Sequence, residues 1–226
     1  MTAITTTIYQ HFLTSLLSGN KSVCSQIVGE LLSQGIKMDD LYENLLKKAM
    51  YEVGELWETN KISVATEHLT SLIVENILSE MYFHLKPSSR KGKKVVLGCV
   101  PGEQHQIGIK MTNDVFEQNG WETYFLGANV PSNDFIRFSK GVQPHVFGLS
   151  LSLHFNLPNL ESMILEIRKQ FPKVPVIVGG QAFTHGGSKI LKQYEKAHYL
   201  KNLYELEQYI HALTTNTSTT YSHKTT

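Results

Sequence analysis

The chain has 226 residues and a formal net charge of +1, with 41% hydrophobic and 18% charged residues. This composition allows the packed cores of two modest domains or one larger one, and it argues against global disorder. The near-neutral charge and the lack of a long basic stripe argue against nucleic acid as the main partner, and no apolar run approaches the length of a membrane-spanning helix. The two cysteines, Cys24 and Cys99, lack metal-type spacing, so we expect buried thiols in a cytoplasmic protein.

Apolar residues recur at helical spacing through residues 1–86. The predicted helices span residues 8–17, 21–33, 38–59 and 63–85. Ser63, with Glu67 close behind it, has the pattern of a helix N-cap, and we expect Leu69 and Leu72 to face the core from the last helix. Four amphipathic helices with short connections predict an N-terminal four-helix bundle.

Residues 87–92 are polar and rich in turn formers, which predicts an interdomain linker, and beyond them strands alternate with helices. The predicted strands are residues 94–100, 122–126, 146–150, 174–178 and 197–200, and the predicted helices are residues 107–118, 132–139, 158–170, 188–194 and 203–213. This alternation predicts an α/β domain over residues 93–213, with a five-stranded, doubly wound parallel sheet of the flavodoxin-like (Rossmann-type) kind. Residues 214–226 are rich in Thr and Ser and predict a disordered tail.

The segment between the first strand and its helix, residues 101–108, carries the first candidate site. It places His105 at the carboxyl end of a parallel strand, where open α/β sheets bind ligands. Glu103 can hydrogen-bond the imidazole, fix its tautomer and make the other ring nitrogen a better metal donor. Taken alone, Glu-x-His-x-x-Gly is a weak motif, and a surface histidine in a loop is the more common case.

Two more strand ends carry candidate residues. Ser150 and Ser152 close the third predicted strand, and Gly179 and Gly180 close the fourth. If the first and third strands are neighbours and the fourth lies beside the third, these residues share one edge of the sheet with His105. Glycines let a flat ligand approach the backbone, and a serine hydroxyl can bond one buried polar atom. Each feature alone is common in α/β proteins, whereas together they favour a ligand site.

This combination resembles the cobalamin-binding domain of methionine synthase, corrinoid methyl carriers, base-off mutases and cobalamin photoreceptors. The family pattern is Asp/Glu-x-His-x-x-Gly, then Ser-x-Leu or Ser-x-Thr/Ser, then Gly-Gly. Here the first element spans residues 103–108 and includes Gln106, Ile107 and Gly108. The resemblance implies that His105 replaces the cofactor's own dimethylbenzimidazole as the lower ligand of cobalt, with Glu103 tuning it.

The same resemblance assigns roles to the other strand ends. Ser150 would contact the displaced base, and Gly179 and Gly180 would make room for the nucleotide tail. Ser152 stands where methyl-transferring members usually carry leucine, which favours another branch of the family.

The helical domain resembles the cap of adenosylcobalamin photoreceptors, which carry Trp-x9-Glu-His. Trp57, Glu67 and His68 match that spacing, which implies that they hold the 5′-deoxyadenosyl group in a cap over the upper face of cobalamin. Without this resemblance, Trp57 could equally be bundle core and Glu67 a charge favoured at a helix start. Glu58 stands where the DNA-binding photoreceptors carry a cobalt-capturing histidine. No MerR-like winged helix precedes the bundle.

The resemblance favours a stand-alone adenosylcobalamin light sensor, not itself an enzyme, acting through self-association or an unknown protein partner, without binding nucleic acid or a membrane. Similarity to photocobilins adds biliverdin as a candidate second chromophore. No bilin contact can be assigned, because His84, His145, His154 and His185 are expected to be surface or satisfied residues.

The alternative function is a corrinoid carrier that passes methyl groups between methyltransferases. It requires the same ligation by His105, but Ser152 and the Trp57 cap argue against it. A mutase or radical subunit is less favoured because no substrate barrel is encoded, and no catalytic acid or nucleophile stands out.

Overall fold

The chain forms two compact units, Met1–Leu85 and Lys86–Thr226. The computed structural model describes residues 4–183 and 188–218. The boundary between the units falls at the start of the predicted linker. Within the described residues, no helix combines the length and the apolar character needed to cross a bilayer.

The first unit is helical and has no strand in its described part. Its segments are α1 (Thr6–Leu17), α2 (Lys21–Ser33), α3 (Met38–Leu41), a π-helix (Tyr42–Lys47), α4 (Lys48–Glu58) and α5 (Val64–Tyr82). The third predicted helix is therefore three consecutive segments with a π-helical middle. Its apolar spacing did not reveal this, because the fully buried Leu41, Leu45 and Ala49 suit either helix type.

Helix α5 begins as predicted, since Ser63 Oγ accepts a hydrogen bond from the backbone N–H of Thr66 at 3.1 Å. The prediction that Leu69 and Leu72 face the core is wrong: they are 46% and 58% exposed. The buried face is instead formed by Thr70, Ile73, Val74, Ile77, Leu78 and Met81. Because α5 carries apolar residues on both sides, their spacing could not determine which side packs.

The second unit is α/β with a five-stranded parallel sheet. Its strands are β1 (Lys94–Cys99), β2 (Glu122–Gly127), β3 (Val146–Ser150), β4 (Val176–Gly179) and β5 (Ala197–Tyr199). The helices are α6 (Ile107–Gln118), α7 (Ser132–Val142), α8 (Leu157–Gln170), α9 (Ser188–Leu191) and α10 (Leu203–Ser218). The strand order β2-β1-β3-β4-β5 confirms the predicted neighbours, and β3 is buried along its whole length, as expected for a central parallel strand.

The prediction of a disordered tail from residue 214 is wrong over its first part, because α10 continues to Ser218. Leu203, Leu206 and Ile210 are buried and fix the start of this helix. Once a helix is fixed in this way, each further residue adds a backbone hydrogen bond at little cost, even when its side chain is polar. Residues 219–226 lie outside the described residues.

Candidate functional site

The carboxyl ends of β1, β3 and β4 lie side by side. Cys99 is the register partner of Ser150, and Ser150 is the partner of Gly179. The strands are parallel, so the segments that follow these residues leave the sheet at the same edge. The structure thus confirms the strand adjacency from which a shared edge was predicted.

A tight turn follows β1. The backbone N–H of Glu103 donates to Val100 O at 2.9 Å, and the residues between them are Pro101 and Gly102. Gly102 has φ +83°, so the turn has proline at its second position and a left-handed glycine at its third, as in type II turns. The turn leads the chain into the loop that carries His105 before α6 begins.

Glu103 connects the loop after β1 to the loop after β3. Its side chain is fully buried, and its Oε1 accepts the backbone N–H of His105 at 3.0 Å and pairs with His105 Nδ1. Its Oε2 accepts the backbone N–H groups of Ser152 and Leu153 at 2.8 and 2.9 Å. Burial by itself would raise the pKa of Glu103, but these hydrogen bonds outweigh it and lower the pKa to about 2.

His105 is oriented through one ring nitrogen. Its side chain is 43% exposed and Glu103 engages its Nδ1, so Nε2 is the nitrogen that would bind a metal ion. Metal-binding imidazoles commonly pair their other ring nitrogen with a carboxylate in this way. In the part of the chain that the structure describes, no group of three or more His, Cys, Asp or Glu residues could hold a bare ion. His105 could therefore supply one protein ligand to a metal ion that brings its other ligands with it.

The other residues of the predicted motif have different roles. Gln106 Oε1 accepts the backbone N–H of Ala128, just after β2, at 3.3 Å, which ties the ligand loop to a third segment. Ile107 begins α6 and is half-buried. A Cβ atom built on Gly108 would meet no atom within 4 Å, so the backbone there is open to a ligand.

The residues predicted at the other strand ends are two serines at the end of β3 and two glycines at the end of β4. Ser150 is buried. Ser152 is half-buried, and its backbone N–H donates a hydrogen bond to Glu103 Oε2. A Cβ on Gly179 would be in ordinary contact with Leu200 O at 3.5 Å. A Cβ on Gly180, which has φ +119°, would lie only 2.1 Å from Leu151 O. Gly180 is therefore required by backbone packing, in addition to any role beside a ligand.

Two residues at this edge, Asn156 and Asn159, were missed by the sequence reasoning. Asn156 is 4% exposed and its Nδ2 donates to Gly102 O at 3.3 Å, while Asn159 Nδ2 donates to Pro101 O at 3.0 Å. Asn156 precedes α8 in the place of a helix cap, but its side chain makes no cap hydrogen bond. An asparagine just before a helix ordinarily indicates an N-cap. The sequence pattern therefore favoured a capping role for Asn156 over a contact with the turn after β1.

In the first unit, Trp57 and the Glu67–His68 pair lie on either side of the short connection between α4 and α5. Trp57 is 38% exposed, so it is not buried bundle core. Glu67 is 9% exposed, and its two carboxylate oxygens contact His68 Nδ1 at 2.6 Å and Ser71 Oγ at 2.8 Å. The side chain of His68 is 70% exposed. This end of the unit therefore presents an aromatic ring and an oriented imidazole at its surface.

Three of the four histidines expected to be surface or satisfied residues, and both cysteines, fit the sequence expectations. His84 is exposed, His145 Nδ1 accepts the backbone N–H of Lys94 at 3.0 Å, and His154 Nδ1 lies 3.4 Å from Ala182 O. His185 lies outside the described residues. Both cysteines are free and buried, and burial raises the pKa of the Cys99 thiol to about 12.

We expect Glu103→Gln to lower the free energy of unfolding of the second unit by about 2 kcal/mol at pH 7, because an amide cannot accept all the buried N–H groups that now face the carboxylate. The pKa of Glu103 falls from 4.5 to about 2 on folding. The resulting stabilisation, about 3 kcal/mol, is fully present above pH 4.5 and is lost as the pH falls towards 2. Urea unfolding between pH 7 and pH 3 measures both effects.

The readout is the fluorescence of the buried Trp121 in a Trp57→Phe background, which reports on the second unit alone because the chain has two tryptophans. Glu122→Gln is the control, because Glu122 is exposed. A gap between the Glu103 variant and the parent that stays constant between pH 7 and pH 3 would contradict the assigned ionisation.

Comparison with known proteins indicates cobalamin binding for both units. Two family models match the chain, each described as a B12 binding domain, over residues 93–200 and residues 8–81. Together they cover most of both units. The chain is 31% identical over 142 residues to the HTH-type transcriptional repressor CarH of Myxococcus xanthus, a match that covers 62% of this chain and 47% of the repressor. The chain thus spans about half the length of that relative.

Another relative has a length closer to that of the chain. The dimethylamine corrinoid protein 3 of Methanosarcina mazei is 29% identical over 142 residues, which cover 60% of this chain and 83% of that protein. Among solved structures, the monomethylamine corrinoid protein of Methanosarcina barkeri superposes with a TM-score of 0.78 and 15% identity, covering 91% of this chain and 98% of that one. This last likeness concerns the fold alone.

Proposed function

We propose that this chain, a cobalamin-binding protein with a B12 binding domain match in each of its two units, is a light sensor that uses adenosylcobalamin. In this proposal the second unit holds the cofactor through His105, and the first unit holds its adenosyl group through Trp57, Glu67 and His68.

The observation that carries the proposal is the surface position of Trp57 and His68 at one end of the first unit, where the buried Glu67 orients His68. A tryptophan that served only the bundle core would be buried, whereas Trp57 is 38% exposed. His68 is held in place through its Nδ1 by a carboxylate that also accepts from Ser71. An exposed aromatic ring beside an oriented imidazole suits a nucleoside, which offers a flat face and several polar atoms.

The residues of the second unit would perform the other half of the function. His105 would bind cobalt through Nε2, and the negative charge on Glu103 would keep Nδ1 protonated and the ring fixed. The open backbone at Gly108 would admit the ligand beside the loop. Adenosylcobalamin, when bound, supplies a cobalt–carbon bond that breaks in visible light. Release of the adenosyl group would free Trp57 and His68 to repack, and this change would alter self-association or the grip on a protein partner.

A corrinoid carrier for methyl transfer is the second candidate. The observation that favours it is the match to a dimethylamine corrinoid protein, of which the aligned region covers 83%. A carrier would use the same His105 and Glu103 and would need no nucleoside contact in the first unit.

Biliverdin as a second chromophore of the light sensor rests on the sequence resemblance alone.

Absorption spectra separate these functions. The protein is mixed in the dark with adenosylcobalamin, methylcobalamin or biliverdin, and spectra and elution volumes are recorded before and after green or red light. The sensor predicts a base-off, His-on adenosylcobalamin spectrum that changes on illumination together with the elution volume. Binding that prefers methylcobalamin and leaves the elution volume unchanged in light would favour the carrier.

We expect Trp57→Ala to weaken the binding of adenosylcobalamin by roughly tenfold and to change methylcobalamin binding little, because stacking on a nucleoside is worth about 1–3 kcal/mol. Equilibrium dialysis in the dark with both forms measures the ratio. Phe83→Ala is the control, since Phe83 is an 86% exposed aromatic residue of the same unit. Equal losses for the two cofactor forms would argue for the carrier.

A further inference from the structure

The loop that carries His105 is bound to the segment formed by the β3–α8 connection and the first turn of α8, by hydrogen bonds that run in both directions. Glu103, from the His105 loop, accepts the backbone N–H groups of Ser152 and Leu153. In return, the amide groups of Asn156 and Asn159 donate to the carbonyls of the Pro101–Gly102 turn at 3.3 and 3.0 Å. Four hydrogen bonds thus join the two segments.

The orientation of both asparagines follows from their partners. A carbonyl oxygen only accepts, so each amide must present its nitrogen to the turn. The fit at Gly102 is also close, because a Cβ atom there would lie 3.2 Å from Asn156 Oδ1. Asn159 Nδ2 also lies 3.5 Å from Asn156 Oδ1, so the two side chains form one polar group, termed the bracket.

This bracket contacts the turn at the start of the segment that leads from the sheet to His105. Strand β1 ends at Cys99 and α6 begins at Ile107, so the turn and loop between them determine where the imidazole lies. Glu103 fixes the ring at Nδ1, but Glu103 itself follows directly after Gly102. A turn that could pivot at Gly102 would carry the carboxylate and the imidazole with it.

We propose that Asn156 and Asn159 are positioning residues that hold the Pro101–Gly102 turn and thereby pre-organise His105 as the lower ligand of cobalt. This inference rests on the ligation by His105 put forward above. A loop already fixed in the free protein loses little conformational entropy when the cofactor binds, which raises its affinity. Loss of either amide donor would let the loop sample other positions and weaken the His-on state.

The test uses Asn159→Asp, which keeps the size of the side chain and replaces the N–H donor by an oxygen facing Pro101 O. We expect the full-length variant to bind cobalamin in the dark about tenfold more weakly, with a larger base-on fraction in its spectrum, since outer-shell partners of metal ligands commonly contribute 10–100-fold. In the cofactor-free protein, the amides of Glu103 and His105 should exchange with solvent faster. Asn156→Asp should behave in the same way.

Asn119→Asp is the matched control. Asn119 Nδ2 also donates to a backbone carbonyl, Val115 O at 2.9 Å, but it does so at the end of α6. This variant should lose some stability and keep the wild-type His-on spectrum and loop exchange. Wild-type affinity, spectrum and exchange in Asn159→Asp would overturn the positioning role. If the wild type itself lacks a His-on spectrum, it is ligation by His105 that fails, and the exchange measurement still tests the bracket.

Discussion

Gly180→Ala is expected to destabilise the second unit by roughly 3–5 kcal/mol, enough to unfold much of it at physiological temperature. The new methyl group would lie 2.1 Å from Leu151 O and 2.7 Å from Leu151 C. These are backbone atoms next to a central buried strand, so no side-chain rotation can relieve the overlap. The φ of +119° adds backbone strain for any residue that carries a Cβ.

Gly179→Ala is the matched control at the neighbouring position. Its methyl group would be in ordinary contact with Leu200 O at 3.5 Å, so its stability should stay within about 1 kcal/mol of the wild type. Urea unfolding followed by Trp121 fluorescence, in the Trp57→Phe background, measures both. Similar stabilities for the two variants would show that Leu151 and Gly180 do not approach as closely as described. If Gly179→Ala folds normally but binds cobalamin weakly, the proposed place for the nucleotide tail gains support.

His105→Ala is expected to remove the His-on spectrum of the cobalamin-bound protein. Its affinity should fall by at least about a hundredfold, because outer-shell partners alone account for 10–100-fold in metal sites. The fold should tolerate the change, since the side chain of His105 is 43% exposed. Absorption spectra at saturating cofactor, together with circular dichroism to confirm folding, provide the measurement.

His84→Ala is the control for the loss of an exposed histidine elsewhere in the chain. It should keep both the spectrum and the affinity of the wild type. A His105→Ala protein with an unchanged His-on spectrum would refute the central claim about this site. Added imidazole offers a further check, because it should restore a nitrogen-ligated spectrum to His105→Ala and leave His84→Ala unaffected.

Much of the architecture follows from the sequence by itself. The alternation of buried strands with amphipathic helices determined a parallel sheet, and short-range patterns located β3 and the cap at Ser63. The pairing of Glu103 with His105 was predictable as well, because it joins residues two apart in one loop. Each of these features depends on neighbours in the chain, which a single sequence displays directly.

The sequence could not determine the outcomes that depend on contacts between distant segments. It could not choose which apolar side of α5 packs, so Leu69 and Leu72 were assigned to the wrong face. It could not reveal the amides of Asn156 and Asn159 on a turn more than fifty residues earlier. It also gave no sign that Gly180 approaches the backbone of Leu151. Residues far apart in sequence meet only when the sheet has formed, so the tertiary structure alone decided how the His105 loop is held.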